Sequence, residues 1–219
     1  MNKSPFIDTD IKNPKIVIGS QTRVALFGGT FDPPTIAHIF MGQKITDLFH
    51  LDKVYFIPCA DPYHKSDSRQ ITDFEVRYEM LRVALSNMSS QSLSILKYND
   101  PEVTRYSINT VNEFLKEYPE CKGNIFFVIG TDSYNDIVYW KDNKSLLKLV
   151  HLIVIKRYDV PELAINLPDH VVFVGLPSTA GISSTNVRFN VKHKYSINHL
   201  VTQDVNEFIV KHNLYSKES

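Results

Sequence analysis

A threonine and a histidine with helical spacing, Thr35 and His38, follow two glycines at residues 28–29 and two prolines at residues 33–34. Glycine allows the backbone to turn sharply and to approach a ligand closely. The prolines suit the start of a helix, where unpaired N–H groups and the helix dipole bind phosphate. Residues three apart share one side of a helical turn, so both side chains would face that phosphate. A tight turn beside a surface histidine is the alternative interpretation.

A second segment, residues 181–188, places three consecutive hydroxyl side chains before another helical pattern. Ser183 or Ser184 would cap that helix, which is a purely structural role. Arg188, however, stands four residues after Ser184 and three after Thr185, so its guanidinium would share a helix face with the hydroxyls. Hydroxyls, helix N–H groups and an arginine fork together suit a polyphosphate.

Short apolar runs alternate along the chain with segments of helical periodicity, which is typical of parallel strands covered on both faces. The predicted fold class is therefore α/β, with a doubly wound, mostly parallel sheet. The predicted strands are 24–27, 54–57, 93–96, 125–129, 152–155 and 171–174, and the predicted helices lie at 36–50, 73–87, 108–118, 184–193 and 203–212.

Ligands bind to such sheets beyond the carboxyl ends of the strands. The glycine segment meets that condition, and so do the long polar loop at 59–72 and the triplet at 130–132. We therefore expect segments that are far apart in the sequence to converge on one crevice with the helix start at 181–188.

The two phosphate-binding segments resemble the signatures of the nucleotidyltransferase superfamily. GGTFDPPTIAH resembles its (H/T)xGH signature, and ISSTNVR resembles its ISSTxIR signature. Three further segments resemble those of bacterial nicotinate-mononucleotide adenylyltransferases. They are PYHK at 62–65, RYSINT at 105–110, and GTD at 130–132 with Trp140 ten residues beyond its glycine. The ending HNLY is also similar, and the resemblance covers about residues 23–216.

The resemblance implies a Rossmann-like nucleotidyltransferase fold and a reaction of NAD biosynthesis, in which ATP and nicotinate mononucleotide give deamido-NAD and pyrophosphate. Mg²⁺ would accompany ATP, held by phosphates and water rather than by dedicated protein ligands. His38, donating to the α-phosphate, and Arg188 are the implied catalytic residues. The implied ATP contacts are Gly28, Gly29, Thr30, Phe31, Thr35, His38, Gly130, Asp132, Ile182, Ser183, Ser184, Thr185 and Arg188, and the implied mononucleotide contacts are His64, Lys65, Ser107 and Trp140.

Several alternatives stay open at this point. Trp140 would stack on the pyridine ring or belong to the core, and Ser107 would meet the nicotinate carboxylate at a helix start or only cap the helix. The loop with His64 and Lys65 would reach the mononucleotide or remain solvated. Nicotinamide mononucleotide or 4′-phosphopantetheine could take the place of nicotinate mononucleotide as the acceptor. A threonine at the position of Thr35 is common in the pantetheine-phosphate enzymes of the superfamily. A nucleotide sensor without turnover is the alternative of another class.

The composition of the chain argues against several other classes of protein. The chain has 219 residues, 43% hydrophobic and 22% charged, as in soluble globular proteins. Its 24 basic and 24 acidic residues balance, which argues against a nucleic-acid or polybasic membrane partner. The two cysteines are far apart in the sequence, which fits a reducing cytoplasm. The sequence has no apolar run as long as that of a signal peptide or a membrane span. We expect small-molecule substrates and one domain at 23–219 after an N-terminal extension, residues 1–22, and leave a homo-oligomer open.

Overall fold

The computed structural model describes residues 22–61, 71–88, 91–156, 171–175 and 181–216. The predicted N-terminal extension therefore lies outside the described residues, apart from Thr22, and so does most of the polar loop at 59–72. Six described strands form one sheet, with neighbours in the order β3-β2-β1-β4-β5-β6. The strands are β1 Val24–Gly29, β2 Lys53–Pro58, β3 Leu93–Ile95, β4 Ile125–Gly130, β5 Val150–Lys156 and β6 Val171–Gly175. Every neighbouring pair is parallel.

Eight α-helices occur among the described residues. They are α1 Ile36–Phe49, α2 Phe74–Ser86, α3 Pro101–Thr104, α4 Ser107–Glu117, α5 Thr131–Asp136, α6 Asn143–Leu149, α7 Ser184–Lys192 and α8 Gln203–Lys211. The five predicted helices are all present, whereas α3, α5 and α6 were not predicted. These three span only four to seven residues, too few for an apolar stripe to repeat. In the described part of the chain, no helix is both long and apolar enough to cross a membrane.

Two apolar cores lie on opposite faces of the sheet, because successive side chains of a strand point in opposite directions. Ala25 and Phe27 of β1 belong to the core formed with α1, α2, α7 and α8. Val24 and Leu26 belong to the core formed with α4, α5 and α6. Helices on both faces of a parallel sheet confirm the predicted doubly wound architecture.

The strand order places the topological switch point between β1 and β4, since the chain builds outward in one direction from β1 and then in the other. The predicted end of β1 at residue 27 was wrong, because residues 28–29 are the last two residues of the strand, with Gly29 paired to Pro58. The two prolines precede α1, whose N-cap is Thr35. The segments that follow β1 and β4 thus leave neighbouring strands at the same edge of the sheet.

Candidate active site

The segment that leaves β1 folds back onto its own strand through an aromatic cluster. Phe31 has a left-handed backbone, with φ 49°, and its ring is buried. The ring centroid lies 5.9 Å from that of Phe27, 5.8 Å from that of Phe56 and 5.2 Å from the imidazole of His38. The contact with His38 is edge-to-face, at 76°. Phe31 therefore supports the imidazole from the side of the core.

Gly29 has a specific steric role beneath that ring. A Cβ at this position would lie 2.8 Å from Cζ of Phe31, whereas a Cβ at Gly28 would meet nothing within 4 Å. We expect Gly29→Ala to displace Phe31 and to lower the free energy of unfolding by about 1–3 kcal/mol, as overpacked cores do. Gly28→Ala is the matched control, and denaturant titration of both variants measures the difference. Equal stability of the two variants would contradict this role.

Thr35 fixes both the position and the tautomer of His38. The backbone N–H of Thr35 donates to Nδ1 of His38 at 3.0 Å, and Oγ1 of Thr35 lies 2.8 Å from the same nitrogen. Because a backbone N–H can only donate, Nδ1 is the acceptor and the proton of the neutral ring is on Nε2. Thr35 is buried, so in this geometry its hydroxyl acts on the imidazole. His38 is thereby a hydrogen-bond donor through Nε2.

The start of α7 is bonded to the segment that precedes α1. Oγ of Ser184 donates to the carbonyl of Pro33 at 2.7 Å, and Nη1 of Arg188 donates to the carbonyl of Asp32 at 2.6 Å. Nη2 of Arg188 donates to Oγ1 of Thr185 at 3.1 Å, as the helical spacing predicted. The two segments that the sequence predicts to bind phosphate, more than 140 residues apart in the chain, therefore meet at one place.

Other predicted ATP contacts lie at the start of α7 and at the carboxyl end of β4. Oγ of Ser183 accepts from the N–H of Asn186 at 3.2 Å, so Ser183 is the N-cap of α7. Ile182, beside it, is half-buried against the core on the α1 side. Gly130 is the N-cap of α5, and Asp132 is exposed in the first turn of that helix. Gly130 and Asp132 thus follow the carboxyl end of β4, whereas Ile182 and Ser183 lie at the start of α7.

On the other face of the sheet, the structure brings the segments of Ser107 and Trp140 together. Nζ of Lys141 lies 4.3 Å from the centroid of the Tyr106 ring. Tyr106 is the N-cap of α4 and gives no side-chain cap, and Ser107 is the first helical residue. Trp140 is half-buried, edge-to-face with Phe127 at 6.5 Å. His64 and Lys65 lie outside the described residues.

Arg77, a buried arginine of α2 that is only 1% exposed, was not predicted from the sequence. Its guanidinium donates to three carbonyls: Nε to Thr72 at 2.7 Å, Nη1 to Thr30 at 2.8 Å and Nη2 to Ala60 at 3.4 Å. Burial lowers the pKa of Arg77, and the negative charge of Asp32 opposes that shift. Arg77 thus joins the segments that follow β1 and β2 to the segment that precedes α2.

A signal for Arg77 was present in the sequence. It stands three residues before Met80 and four before Leu81, both of which are fully buried, so helical spacing places it on the core face of α2. An arginine on such a face needs several acceptors close by, because a buried charge without partners is costly. The helix was predicted from its apolar residues alone, and Arg77 was not among them.

A parallel sheet in this strand order, with helix N-termini at the carboxyl ends of its strands, defines a doubly wound α/β fold of the kind that binds nucleotides at its switch point. The model of the Cytidylyltransferase-like family matches residues 26–190. The chain belongs to this family and, within it, to the nicotinate-nucleotide adenylyltransferases. That narrower membership follows from similarity to curated relatives over most of the chain.

Two of these relatives carry the name "Probable nicotinate-nucleotide adenylyltransferase". The protein of Thermus thermophilus is 32% identical over 88% of this chain and 99% of its own length. The protein of Moorella thermoacetica is 34% identical over 88% of this chain and 91% of its own length. Among solved structures, the nicotinic acid mononucleotide adenylyltransferase of Plasmodium falciparum, complexed with NaAD, has the same fold. It covers 90% of this chain and 98% of its own, with a TM-score of 0.73 at 20% identity.

Proposed function

We propose that this protein transfers AMP from ATP to nicotinate mononucleotide, giving deamido-NAD and pyrophosphate in NAD biosynthesis. The observation that carries the proposal is the convergence of His38 and Arg188 on the short segment between β1 and α1. The relatives' names support the same activity. A triphosphate placed at this segment would lie against both helix starts.

The nucleophile is the 5′-phosphate of the mononucleotide, which is ionised near neutral pH and needs no protein base. One of its oxygens attacks the α-phosphorus of ATP in line, and the bond from that phosphorus to the β-phosphate bridging oxygen breaks. Pyrophosphate leaves with the bonding electrons. Catalysis then depends on positioning and on stabilisation of charge. Nε2–H of His38 donates to an α-phosphate oxygen as negative charge shifts there.

The leaving pyrophosphate is bound at the start of α7. Ser184, Thr185 and Arg188 lie within the first five residues of that helix, where N–H groups and the helix dipole favour an anion. The fork of Arg188 adds a planar donor that matches phosphate oxygens. Its bonds to the carbonyl of Asp32 and to Thr185 hold that fork in place before substrate arrives.

Mg²⁺ accompanies ATP in this proposal. Among the described residues, no group of three or more His, Cys, Asp or Glu side chains could hold a metal ion. Ser184, Thr185, Arg188 and His38 suit phosphate oxygens, and Mg²⁺ in such a complex is usually held by phosphates and water with at most one or two carboxylates. When bound, the ion supplies positive charge to the β- and γ-phosphates.

The acceptor is tested by measuring pyrophosphate release with ATP and one acceptor at a time. We expect the largest kcat/KM for nicotinate mononucleotide, because the start of α4 and the ammonium of Lys141 both favour a carboxylate over a neutral amide. Nicotinamide mononucleotide and 4′-phosphopantetheine are the comparison acceptors. A preference for either would reassign the substrate, and ATP binding without pyrophosphate release from all three would favour the sensor instead.

A further inference from the structure

We infer that Tyr215, in the segment that follows α8, is a positioning residue for the ATP site and acts through Asp32. This inference rests on the proposed function. The hydroxyl of Tyr215 donates to Oδ1 of Asp32 at 2.7 Å, across 183 positions of sequence. The main-chain carbonyl of the same Asp32 accepts from Nη1 of Arg188. One residue thus joins the C-terminal segment to the arginine that holds the leaving phosphates.

Asp32 is a buried carboxylate, 1% exposed, at the centre of several interactions. Besides Tyr215, the N–H of Thr72 donates to its Oδ2 at 3.4 Å. Its charge acts on Arg77, and the charge of Arg188 acts on the hydroxyl of Tyr215. The carboxylate therefore lies within the electrostatic range of both arginines. Its position affects the segment before α1, whose Asp32 carbonyl binds Arg188 and whose Thr35 binds His38.

The hydroxyl of Tyr215 is a permanent donor in this arrangement. Burial, and then the neighbouring charge of Asp32, raise the pKa of Tyr215, so the proton stays on the phenol at all physiological pH values. A hydrogen bond from a neutral donor to an ionised carboxylate is stronger than one between neutral groups. The bond between Tyr215 and Asp32 accordingly holds the carboxylate in one orientation.

The C-terminal segment is itself anchored, so it can hold Asp32 in place. The N–H of Leu214 donates to the carbonyl of Ile209, which folds the segment back onto α8. Tyr215 has a left-handed backbone, with φ 61°, and packs against the core that contains α1, α2 and α7. Trp140, a candidate contact of the mononucleotide, and Tyr106, which precedes the candidate Ser107, pack on the other face of the sheet. A change at Tyr215 should therefore affect ATP and spare the acceptor.

The test is Tyr215→Phe, which keeps the ring and removes only the hydroxyl. We expect the KM for ATP to rise about tenfold, the scale of one hydrogen bond to a charged group, with kcat and the KM for nicotinate mononucleotide changed less than about twofold. Tyr195→Phe, at an exposed tyrosine, is the matched control and should change nothing. An unchanged KM for ATP, or an equal rise in both KM values, would overturn the inference.

Calorimetric ATP binding without acceptor separates this inference from the proposed function. If no acceptor is turned over by the unmodified protein, the proposed function fails, while the dissociation constant for ATP still reports on Tyr215→Phe.

Asp32→Asn provides a second variant, because the amide oxygen still accepts from Tyr215 but the charge is lost. We expect Tyr215→Phe to weaken ATP binding less in the Asp32→Asn background than alone. Full additivity of the two effects would refute the proposed route through Asp32.

Discussion

His38→Ala is expected to lower kcat by about 10²–10³, because it removes one preorganised donor to the charge that develops at the α-phosphate. The structure gives this expectation a specific atom. The backbone N–H of Thr35 occupies Nδ1, so the proton available for phosphate is on Nε2. The ring of Phe31 packs against the imidazole, and Thr35 is hydrogen-bonded to its Nδ1. These contacts fix the imidazole in place, so little reorganisation is needed when charge shifts to the α-phosphate.

The same variant should leave ATP binding largely intact, since Ser184, Thr185 and Arg188 on α7 remain. Turnover at saturating substrates and the dissociation constant for ATP, measured side by side, check both parts of the prediction. His193→Ala is the control, because His193 is an exposed histidine at the far end of α7. Near-full turnover of His38→Ala at saturating substrates would remove the imidazole from the chemistry.

Local contacts of the site could be predicted from the sequence, because helical spacing alone determines them. Thr35 and His38 are three residues apart and touch, and so do Thr185 and Arg188. The long apolar strands were also predictable, since continuous burial leaves a simple pattern. The bounds of β1 were less so, because glycine is permitted both in a strand and in the turn after it.

Contacts between distant segments could not be predicted in the same way. Tyr215 meets Asp32 across 183 positions, and Arg77 meets Thr30 across 47. No periodicity encodes such pairs, because they depend on which strands become neighbours and on how each helix packs over them. The order of β1 and β4 creates the crevice, and the buried charges then require partners that only the assembled sheet supplies.

Arg77→Met is expected to lower the free energy of unfolding by about 3–5 kcal/mol, the range seen when one member of a buried charged group is removed. The substitution keeps an unbranched apolar stem on the core face of α2. It leaves the carbonyls of Thr30, Ala60 and Thr72 without their guanidinium donors and leaves the charge of Asp32 with less compensation. These three hydrogen bonds are part-buried, and an acceptor left without a donor away from water costs about 1–3 kcal/mol.

Arg82→Met, on the same helix, is the matched control for that variant. Arg82 is 58% exposed and pairs with Glu79 three residues before it, and exposed pairs of this kind contribute at most about 1 kcal/mol. Denaturant unfolding of both variants therefore isolates the effect of burial, because the substitution and the helix are the same. Equal losses in the two variants would mean that Arg77 does not stabilise the carboxyl edges of β1 and β2. A loss confined to Arg77→Met would show that one buried cation holds together the segments on which His38 and Arg188 depend.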